Sequence, residues 1–463
     1  MNAVVAASEL GPLEARIVDF SCGLKFDDLP HAAVRAAKWR VIDSIGVAMA
    51  AYLSPPARIA RRLAQGTTGP LGARVWGPLT RTTPDMAAFA NRVMVRDLDL
   101  NDAWRTKDAH HPSDYLPGIM AVAEAVKSPG QRFIAALAVA YELMCRFTDS
   151  VPFNAAGWDQ PLTGALGTAM AVGHLLGLDR ERMGHALALA LIPNMCTYQT
   201  RAGELSMWKG CAGPNGARNG IFAALLAAEG MSGPFQAFDG EFGVWNQTLK
   251  GEAFPVVLPD GSADWKWALM QTNIKTFPVR DSCQLPIATA LELREKILPA
   301  EIEHLEIETY RSAWEGAVKD KELWTPRTRE TADHSMLFCV ACALIDGAVT
   351  PESFERERFL DRDILDMIGR TEVEVLDEFN RATPAVRNCR IVARHRYGNV
   401  TIAHRAISLA EIERGLAEED LERKFAQCVA KTFSARQRDA VIKAALALDD
   451  ADDVLGLVDL LRV

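Results

Sequence analysis

From residue 30 to residue 230 the chain is a succession of apolar segments, rich in alanine, leucine and methionine, whose lengths suit helices. In the first of them Val34, Val41 and Ile45 recur at spacings of seven and four residues, which places them on one helical face. The longest uncharged segment, residues 160–178, holds a proline and four glycines, so it suits a helix packed inside a protein better than a membrane span. Further helices are predicted at Pro117–Ala125, Phe133–Phe147, Leu162–Leu176, Met183–Leu191 and Gly216–Glu229.

After about residue 265 the pattern changes to short segments with β-branched residues, bounded by proline, glycine or asparagine. Strands are predicted at Trp267–Lys275, His304–Tyr310, Thr371–Val375, Arg390–Arg394 and Val400–Arg405. The last two are joined at Tyr397-Gly398-Asn399, a typical hairpin turn. Asp333 and Ser335 are expected to cap a helix at His334–Asp346.

The final segments are helical again, with predicted helices at Glu411–Lys424, Ala435–Leu448 and Val454–Leu461. We therefore expect a mainly α protein. A large all-helical domain would be built from both chain ends, residues 1–267 and 409–463. A smaller α+β domain would be inserted at residues 268–408.

The composition limits which binding partners and which cellular compartment are expected for this protein. The formal net charge is −9, which argues against nucleic acid or an anionic membrane as the main partner. The nine cysteines are scattered and lie mostly in apolar stretches, as is typical of a reducing compartment. The N-terminus lacks a basic segment followed by a long apolar run, so no signal peptide is predicted and the cytoplasm is the expected location.

The densest polar cluster comprises residues 96–102 and 110–114, which carry acids, an amide and two histidines within about twenty residues. Such charges in a mostly apolar region call for a physical reason. An aspartate and a histidine exchange protons readily near neutral pH, so an aspartate and a histidine of this cluster are candidates for an acid and base pair.

Two other interpretations of this cluster stay open. It would be a solvated loop if Ser113 or Asp114 capped the helix expected from Tyr115. His111 and Asp114 would be ligands if a metal bound there, although the spacing is irregular. For a proton-transfer role, nearby aspartates would raise the pKa of His111 and burial would lower it, so we expect it to titrate between about pH 5 and 8.

Two further polar clusters contain lysines, and the first of these lysines is a candidate for binding a carboxylate. Lys209 precedes a small-residue segment that opens a helix, where a cation and free N–H groups together would attract an anion. A surface lysine is the alternative interpretation. Lys275 and Arg280 flank Phe277-Pro278 between a predicted strand and a predicted helix.

Several motifs carry a resemblance that covers nearly the whole chain. DLNDAW with HHPSD, GELSMWKGCA, IKTFP and TRETADHSM occur in this order and resemble motifs of the MmgE/PrpD family. That family includes 2-methylcitrate dehydratases, cis-aconitate decarboxylases and iminodisuccinate epimerases. The resemblance implies a helical domain with a smaller α+β lid, a homodimer, and no metal, cluster or organic cofactor.

The resemblance also implies a set of site residues. The catalytic residues are expected at matching positions of intact motifs, namely Asp99, His111, Lys209 and Lys275. Substrate contacts are expected from Asn101, Asp149, Arg280 and Trp324.

Four positions depart from the family's pattern. Ala103 stands where threonine or serine is frequent, and residues 279–281 fill a place where many members have a histidine. Asp149 and Trp324 replace a histidine and a tyrosine of the decarboxylases. These differences change the acid and base groups of the pocket, so the substrate stays open.

The function expected first is removal of a proton next to a carboxylate and elimination of water from a small di- or tricarboxylate such as 2-methylcitrate. Lys209, Lys275 and Arg280 would stabilise the developing charge, and Asp99 and His111 would be acid and base in an order left open. The alternatives are an epimerase of an imino- or amino-dicarboxylate, a decarboxylase of a cis-aconitate-like acid, and a carboxylate-binding protein without catalysis.

Overall fold

A computed structural model describes residues 10–262 and 264–463, and of Arg105 only the backbone. The expectation that there is no signal peptide concerns mainly residues 1–9, which lie outside the described residues. Helices dominate throughout, as the apolar periodicity predicts. Within the described part, no helix is both long and apolar enough to cross a bilayer.

The first part of the chain is helical apart from two short strand pairs. Its helices are α1 Pro12–Gly23, α2 His31–Ala50, α3 Pro55–Ala64, α4 Pro84–Asp97, α5 Leu116–Ala125, α6 Gly130–Ser150, α7 Pro161–Leu176, α8 Arg180–Leu191, α9 Trp208–Ala228, α10 Val244–Leu249 and α11 Ala268–Gln271. The strand pairs are β1 Ala73–Arg74 with β2 Arg81–Thr82, and β3 Trp104–Arg105 with β4 Ala109–His110. The predicted helices of this part are confirmed, with α9 beginning eight residues earlier than expected.

Small residues let these helices approach closely. A methyl group built on Gly164 of α7 would lie 1.7 Å from the hydroxyl oxygen of Tyr115. One built on Gly220 of α9 would lie 2.4 Å from the carbonyl oxygen of Ala165 in α7. Since a side-chain carbon cannot approach another atom so closely, glycine at these positions permits the packing of α7 against α9 and the segment before α5.

A four-stranded sheet with helices forms the next part. Its strands are β5 Ile302–Thr309, β6 Thr371–Val375, β7 Val386–His395 and β8 Val400–Ser408, in the spatial order β6-β5-β7-β8. The β5–β6 pair is parallel and the other pairs are antiparallel. The helices are α12 Asp281–Arg294, α13 Arg311–Ala317, α14 Arg329–Ala332, α15 Met336–Asp346, α16 Pro351–Glu355, α17 Arg362–Ile368 and α18 Asp377–Ala382.

The hairpin between β7 and β8 turns where it was predicted. The His395 N–H donates to the Asn399 carbonyl at 2.8 Å, and Gly398 has a φ of +89°, which glycine adopts without strain. Ser335 also caps α15 as predicted, since its side chain accepts a hydrogen bond from the Phe338 N–H.

The C-terminal segment is helical again, with α19 Leu409–Arg414, α20 Glu418–Val429, α21 Ala435–Leu446 and α22 Leu455–Asp459. One apolar core joins Ile42 of α2 with Phe425 of α20 and Val441 of α21, and so contains residues from both chain ends. A second core lies between residues 279 and 403. The domain boundaries at residues 267 and 408, and the lid, stay predictions.

Two predicted elements are wrong. Trp267–Lys275 is not a strand: it begins with the short α11 and pairs only through Asn273 with Ala103. Arg40 fixes this segment by donating to the Thr272 hydroxyl at 2.7 Å and carbonyl at 2.8 Å, so tertiary contacts outweigh the β-branched pattern. Glu411–Lys424 is two helices, because the chain breaks at Gly415 with a φ of +69°.

Candidate active site

A cavity of about 320 Å³ lies where the helical part meets the α+β part. The helical part contributes Arg96, His111 and Arg201, and the α+β part contributes Arg280, Gly316 and His334. Its other polar walls include Asp99, Lys107, Asp108, Asn154, Asp159, Gln160, Tyr198, Asp281, Ser312 and Glu315. A concave site between two parts of a chain, with polar groups converging on it, is a common place for a small ligand to bind.

Asp99 lines this cavity and is surrounded by cations. It follows the end of α4 in the left-handed conformation, with a φ of +50°, which an aspartate tolerates better than most residues. Its carboxylate lies 2.7 Å from Arg96 and 3.2 Å from the Lys209 ammonium, and it also contacts the Lys275 ammonium. Burial would raise the pKa of Asp99, but these three cations hold it well below its usual range.

Both lysines are buried behind the cavity rather than in its wall. Lys275 donates to the Asp99 carbonyl at 2.9 Å as well as to the carboxylate, while Lys209 donates to both carboxylate oxygens of Asp333 at 2.9 Å. Burial lowers the pKa of Lys275 to about 8, although Asp99 opposes the shift. The two ammonium groups therefore form ion pairs with Asp99 and Asp333, and they affect the cavity by fixing these carboxylates.

His111 lines the cavity, and one of its ring nitrogens is held by the backbone. Its Nδ1 lies 2.8 Å from the Asp102 carbonyl oxygen, which only accepts hydrogen bonds, so Nδ1 carries the proton and Nε2 carries the lone pair. Burial lowers the pKa of His111 well below its usual range, and Arg96 and Lys275 act in the same direction. Asp99 acts in the opposite direction, as expected, but burial and these two cations outweigh it.

His334 is a site residue that the sequence prediction missed. Its Nδ1 lies 2.5 Å from the Asp333 carboxylate, and its Nε2 lies 3.9 Å from that of Asp99. Burial lowers the pKa of His334 to about 3, with Lys209 acting in the same direction and Asp333 opposing. The expectation that Asp333 caps α15 is wrong, because its carboxylate is committed to Lys209 and His334.

Asp102 fixes the segment that carries His111. One carboxylate oxygen accepts from the Ser113 N–H at 2.9 Å and the other accepts from the Tyr141 hydroxyl at 3.0 Å. The chain then passes through a 3-10 turn at Pro112–Tyr115 into α5, and no side chain caps that helix. The expected cap from Ser113 or Asp114 is therefore wrong.

Asn101 lies beneath the cavity and does not line it. Its side-chain amide donates to Asp114 at 2.8 Å and to the Ser113 hydroxyl at 3.0 Å. Asp114 also pairs with Arg92 at 3.2 Å, with both side chains fully buried. Through these hydrogen bonds Asn101 holds the segment around Ser113 and Asp114 in place next to the cavity.

The Asp99 segment is supported from the C-terminal helices. Lys424 of α20 donates to the Leu100 carbonyl at 2.9 Å and pairs with Asp43 of α2 at 2.6 Å. All three groups are buried. A helix from the far end of the chain thus fixes the backbone next to Asp99.

Three arginines and Lys107 are the cations that line the cavity among the described residues. Arg201 pairs with Asp159 at 3.3 Å and donates to the Lys209 carbonyl at 2.9 Å. Arg280 donates to the Gly316 carbonyl. Arg201 belongs to the polar cluster around Lys209, and Arg96 belongs to the one around Asp99. Both could have been predicted as site residues from these clusters. No sequence signal marks Asp159.

Asp149 and Trp324 lie away from the described cavity walls. Asp149 accepts a hydrogen bond from the Trp104 indole at 2.7 Å and pairs with Arg146 at 3.2 Å. The Trp324 indole donates to the Val318 carbonyl at 2.9 Å. Asp149 contacts the cavity wall through Trp104, and a substrate role for either residue stays a prediction.

One group of side chains has the composition of a metal site. Asp99, Asp333 and His334 offer ligand atoms within 4.8 Å of one another, the closest such set beside the cavity among the described residues. The Lys209 ammonium already contacts both carboxylates, and Lys275 contacts Asp99. A divalent cation would therefore be repelled by two fixed positive charges, and this arrangement favours ion pairs over a metal.

Comparison with known protein families identifies the family of this chain. A sequence model of the MmgE/PrpD N-terminal domain matches residues 15–256, and one of the MmgE/PrpD C-terminal domain matches residues 277–449. The chain belongs to the MmgE/PrpD family. The resemblance seen in the motifs is confirmed, and the cavity lies where MmgE/PrpD N-terminal residues such as His111 meet C-terminal residues such as His334.

Curated MmgE/PrpD relatives align over most of the chain. It is 27% identical to the cis-aconitate decarboxylase of Homo sapiens over 95% of this chain and 92% of the relative. It is 28% identical to the 2-methylcitrate dehydratase of Salmonella typhimurium over 75% of this chain and 74% of the relative. It is 27% identical to the 2-methylcitrate dehydratase of Escherichia coli over 73% of this chain and 72% of the relative.

Proposed function

We propose that this chain is a cofactor-independent lyase that removes a proton next to a carboxylate and eliminates water from a small di- or tricarboxylate such as 2-methylcitrate. The observation that carries the proposal is that His111 lines the cavity together with arginines, while its Nδ1 is held by the Asp102 carbonyl and leaves Nε2 to accept a proton. A base of this kind beside fixed cations is what the removal of such a proton needs.

Substrate carboxylates bind to the arginines of the cavity. Arg201 and Arg280 stand on different parts of the chain, so one substrate with two carboxylates would contact both. Guanidinium groups suit this task because they donate two parallel hydrogen bonds to a carboxylate. The cavity volume of about 320 Å³ suits a small acid.

His111 takes the proton from the carbon next to the bound carboxylate. The electron pair of the broken C–H bond forms a C=C bond, the C–O bond breaks, and the hydroxyl group leaves with one proton as water. Asp99 is neither base nor acid in this scheme, since Arg96, Lys209 and Lys275 keep it ionised. It offsets their charge and positions the cations behind the reacting carbon.

Decarboxylation of a cis-aconitate-like acid is the second candidate. It is favoured by the human cis-aconitate decarboxylase, which aligns with 95% of this chain, against 75% for the Salmonella dehydratase. The same cations would stabilise the charge left on carbon when carbon dioxide departs.

One assay separates these reactions. The purified chain is incubated separately with 2-methylcitrate, citrate, cis-aconitate and iminodisuccinate. Products are followed by ultraviolet absorbance of the new alkene, by release of carbon dioxide and by optical rotation. Dehydration gives absorbance without gas, decarboxylation gives gas, and epimerisation of an iminodicarboxylate gives neither but changes optical rotation. Absence of turnover with every acid, together with thermal stabilisation by them, would leave only a carboxylate-binding protein.

We also propose a homodimer in the cytoplasm. Large apolar side chains on and near α9 are exposed, including Trp208, Phe222 and Phe235, and suit a contact surface. Sedimentation at two concentrations tests the assembly, with Phe222→Glu expected to shift it toward the monomer. A monomer in the unmodified protein would contradict this proposal.

A further inference from the structure

Besides His110 and His111, the cavity is lined by His334, whose Nδ1 is hydrogen-bonded as that of His111 is. His334 lies between α14 and α15, in the α+β part, whereas His111 precedes α5 in the helical part. The side chain of His334 is only 12% exposed, and its ring lines the cavity. Its Nδ1 is bound to Asp333, so Nε2 is the atom left for chemistry.

The two histidines differ in the partner of Nδ1. For His111 this partner is a neutral backbone carbonyl. For His334 it is the carboxylate of Asp333, which the Lys209 ammonium fixes through two hydrogen bonds of 2.9 Å. A carboxylate partner stabilises a protonated imidazole more than a carbonyl does, because the attraction is between full charges.

We propose that His334 is the acid of the reaction: it takes up a proton when a polycarboxylate binds and donates it from Nε2 to the leaving hydroxyl, while His111 is the base. This inference rests on the proposed elimination and assigns its second proton transfer. Asp333 and Lys209 act as positioning residues, because they hold the ring and set its charge without contacting the substrate.

The charged groups facing His334 explain why ligand binding would change its protonation. Asp333 and Asp99 favour the imidazolium form, while burial and the cations Lys209 and Arg280 disfavour it. Substrate carboxylates bring further negative charge into the same cavity, and opposite charge within about 4–6 Å favours the protonated form. His111 lacks a carboxylate on Nδ1 and would gain less from that change.

The proton balance closes over one turnover. His111 receives the proton from carbon, and the electron pair of the C–H bond first stays on the substrate as a carbanion stabilised by the adjacent carboxylate and the cations of the cavity. This pair then forms the C=C bond as the C–O bond breaks. His334 donates its proton to the departing hydroxyl group, which leaves as water. His111 is then protonated and His334 is neutral, and release of the proton of His111 to solvent followed by protonation of His334 restores the starting state.

Hydrogen exchange at carbon separates the two roles. In deuterium oxide, His334→Asn should lose elimination by about 10²–10⁴-fold and still exchange the substrate's acidic C–H proton for deuterium, whereas His111→Asn should lose both. His395→Asn is the matched control, since this histidine bonds to Thr401 on the sheet and should keep both activities. Elimination by His334→Asn within tenfold of the unmodified enzyme would overturn the inference and leave the proposed lyase intact. Loss of exchange in His334→Asn but not in His111→Asn would also overturn it.

A measurement on the unmodified protein covers the case in which His334→Asn fails to fold. Tricarballylate has three carboxylates and no hydroxyl to lose, so it binds without reaction. Its binding heat is measured at pH 6 in buffers of different ionisation enthalpy, which reports protons taken up. Net proton uptake supports the assignment, and binding without uptake overturns it. Failure of every acid to turn over would instead refute the lyase.

Discussion

The Lys209 ammonium lies 2.9 Å from each carboxylate oxygen of Asp333, across 124 residues of chain and with both side chains buried. This pair joins α9 of the helical part to the segment before α15. Since Lys209 also contacts Asp99, one ammonium group fixes two carboxylates at the cavity. Ion pairing at this point therefore determines both the stability of the seam and the charge of the site.

Replacing Lys209 should destabilise the protein strongly. Lys209→Met keeps much of the volume but leaves two buried carboxylates with less compensation, and breaking a buried pair costs about 3–5 kcal/mol. Lys296→Met is the control, because its pair with Glu292 is exposed and should be worth about 0–1 kcal/mol. Urea unfolding measures both. Equal midpoints for the two variants would show that the buried pair contributes no more than a surface pair.

His111→Asn should lower turnover by about 10²–10⁴-fold, the usual contribution of a general acid or base. Asparagine keeps one hydrogen bond to the Asp102 carbonyl but has no group that accepts a proton from carbon. Turnover of the identified acid is compared with that of the unmodified enzyme and of His395→Asn. A variant that retains more than about a tenth of the activity would remove His111 from the chemistry.

As pH falls, kcat/KM should not decrease near pH 6.5. Burial lowers the pKa of His111 well below its usual range, so the free base persists as pH falls through the window where an ordinary histidine becomes protonated. The acid limb, which reports the free enzyme, should therefore lie below the usual histidine value. Rates between pH 5 and 8 test this, and a half-maximal point at about pH 6.5 would argue for an unburied imidazole.

Activity should survive exhaustive chelation. The carboxylates of Asp99 and Asp333, the best ligand candidates beside the cavity in the described chain, already bind the ammonium groups of Lys209 and Lys275. Turnover is measured after dialysis against EDTA and again after addition of single divalent metals. Loss on chelation with recovery by one metal would refute the ion-pair interpretation.

Gly164→Ala should destabilise the helical part. The added methyl group would lie 1.7 Å from the Tyr115 hydroxyl oxygen, so α7 or the segment before α5 would have to move. Overpacking of this kind costs about 1–3 kcal/mol or more. Gly23→Ala, where no atom lies within 4 Å of the new carbon, is the matched control at the end of α1. Similar unfolding midpoints for both variants would contradict close packing at Gly164.

Sequence pattern was sufficient for the helices of the first part of the chain and for the hairpin, because each depends on local spacing. The helix α2 follows from one apolar face, and the β7–β8 turn follows from Gly398. The segment 267–275 was not predictable in this way. Its conformation depends on Arg40 and Glu142, which contact Thr272 and Ala268 from distant parts of the chain.

The same limit applies to the candidate site. Polar clusters around Asp99, Lys209 and Lys275 stood out because charge is rare in these apolar segments, and the structure brings the three together. Their consequences for charge could not be read from spacing, since both lysines turn away from the cavity. His334 was overlooked because Asp333 and Ser335 offered a sufficient local explanation as helix caps.

The hydrogen bond from Lys424 to the Leu100 carbonyl has a consequence for the order of events during synthesis. The segment 99–111 leaves the ribosome long before α20, yet its backbone is fixed by a side chain from that late helix. Until α20 is made, Asp43 lacks the ammonium partner that it has in the finished protein. The nascent chain would therefore remain without a formed cavity for most of its translation, and substrate would meet a working site only after nearly all of the chain had been synthesised.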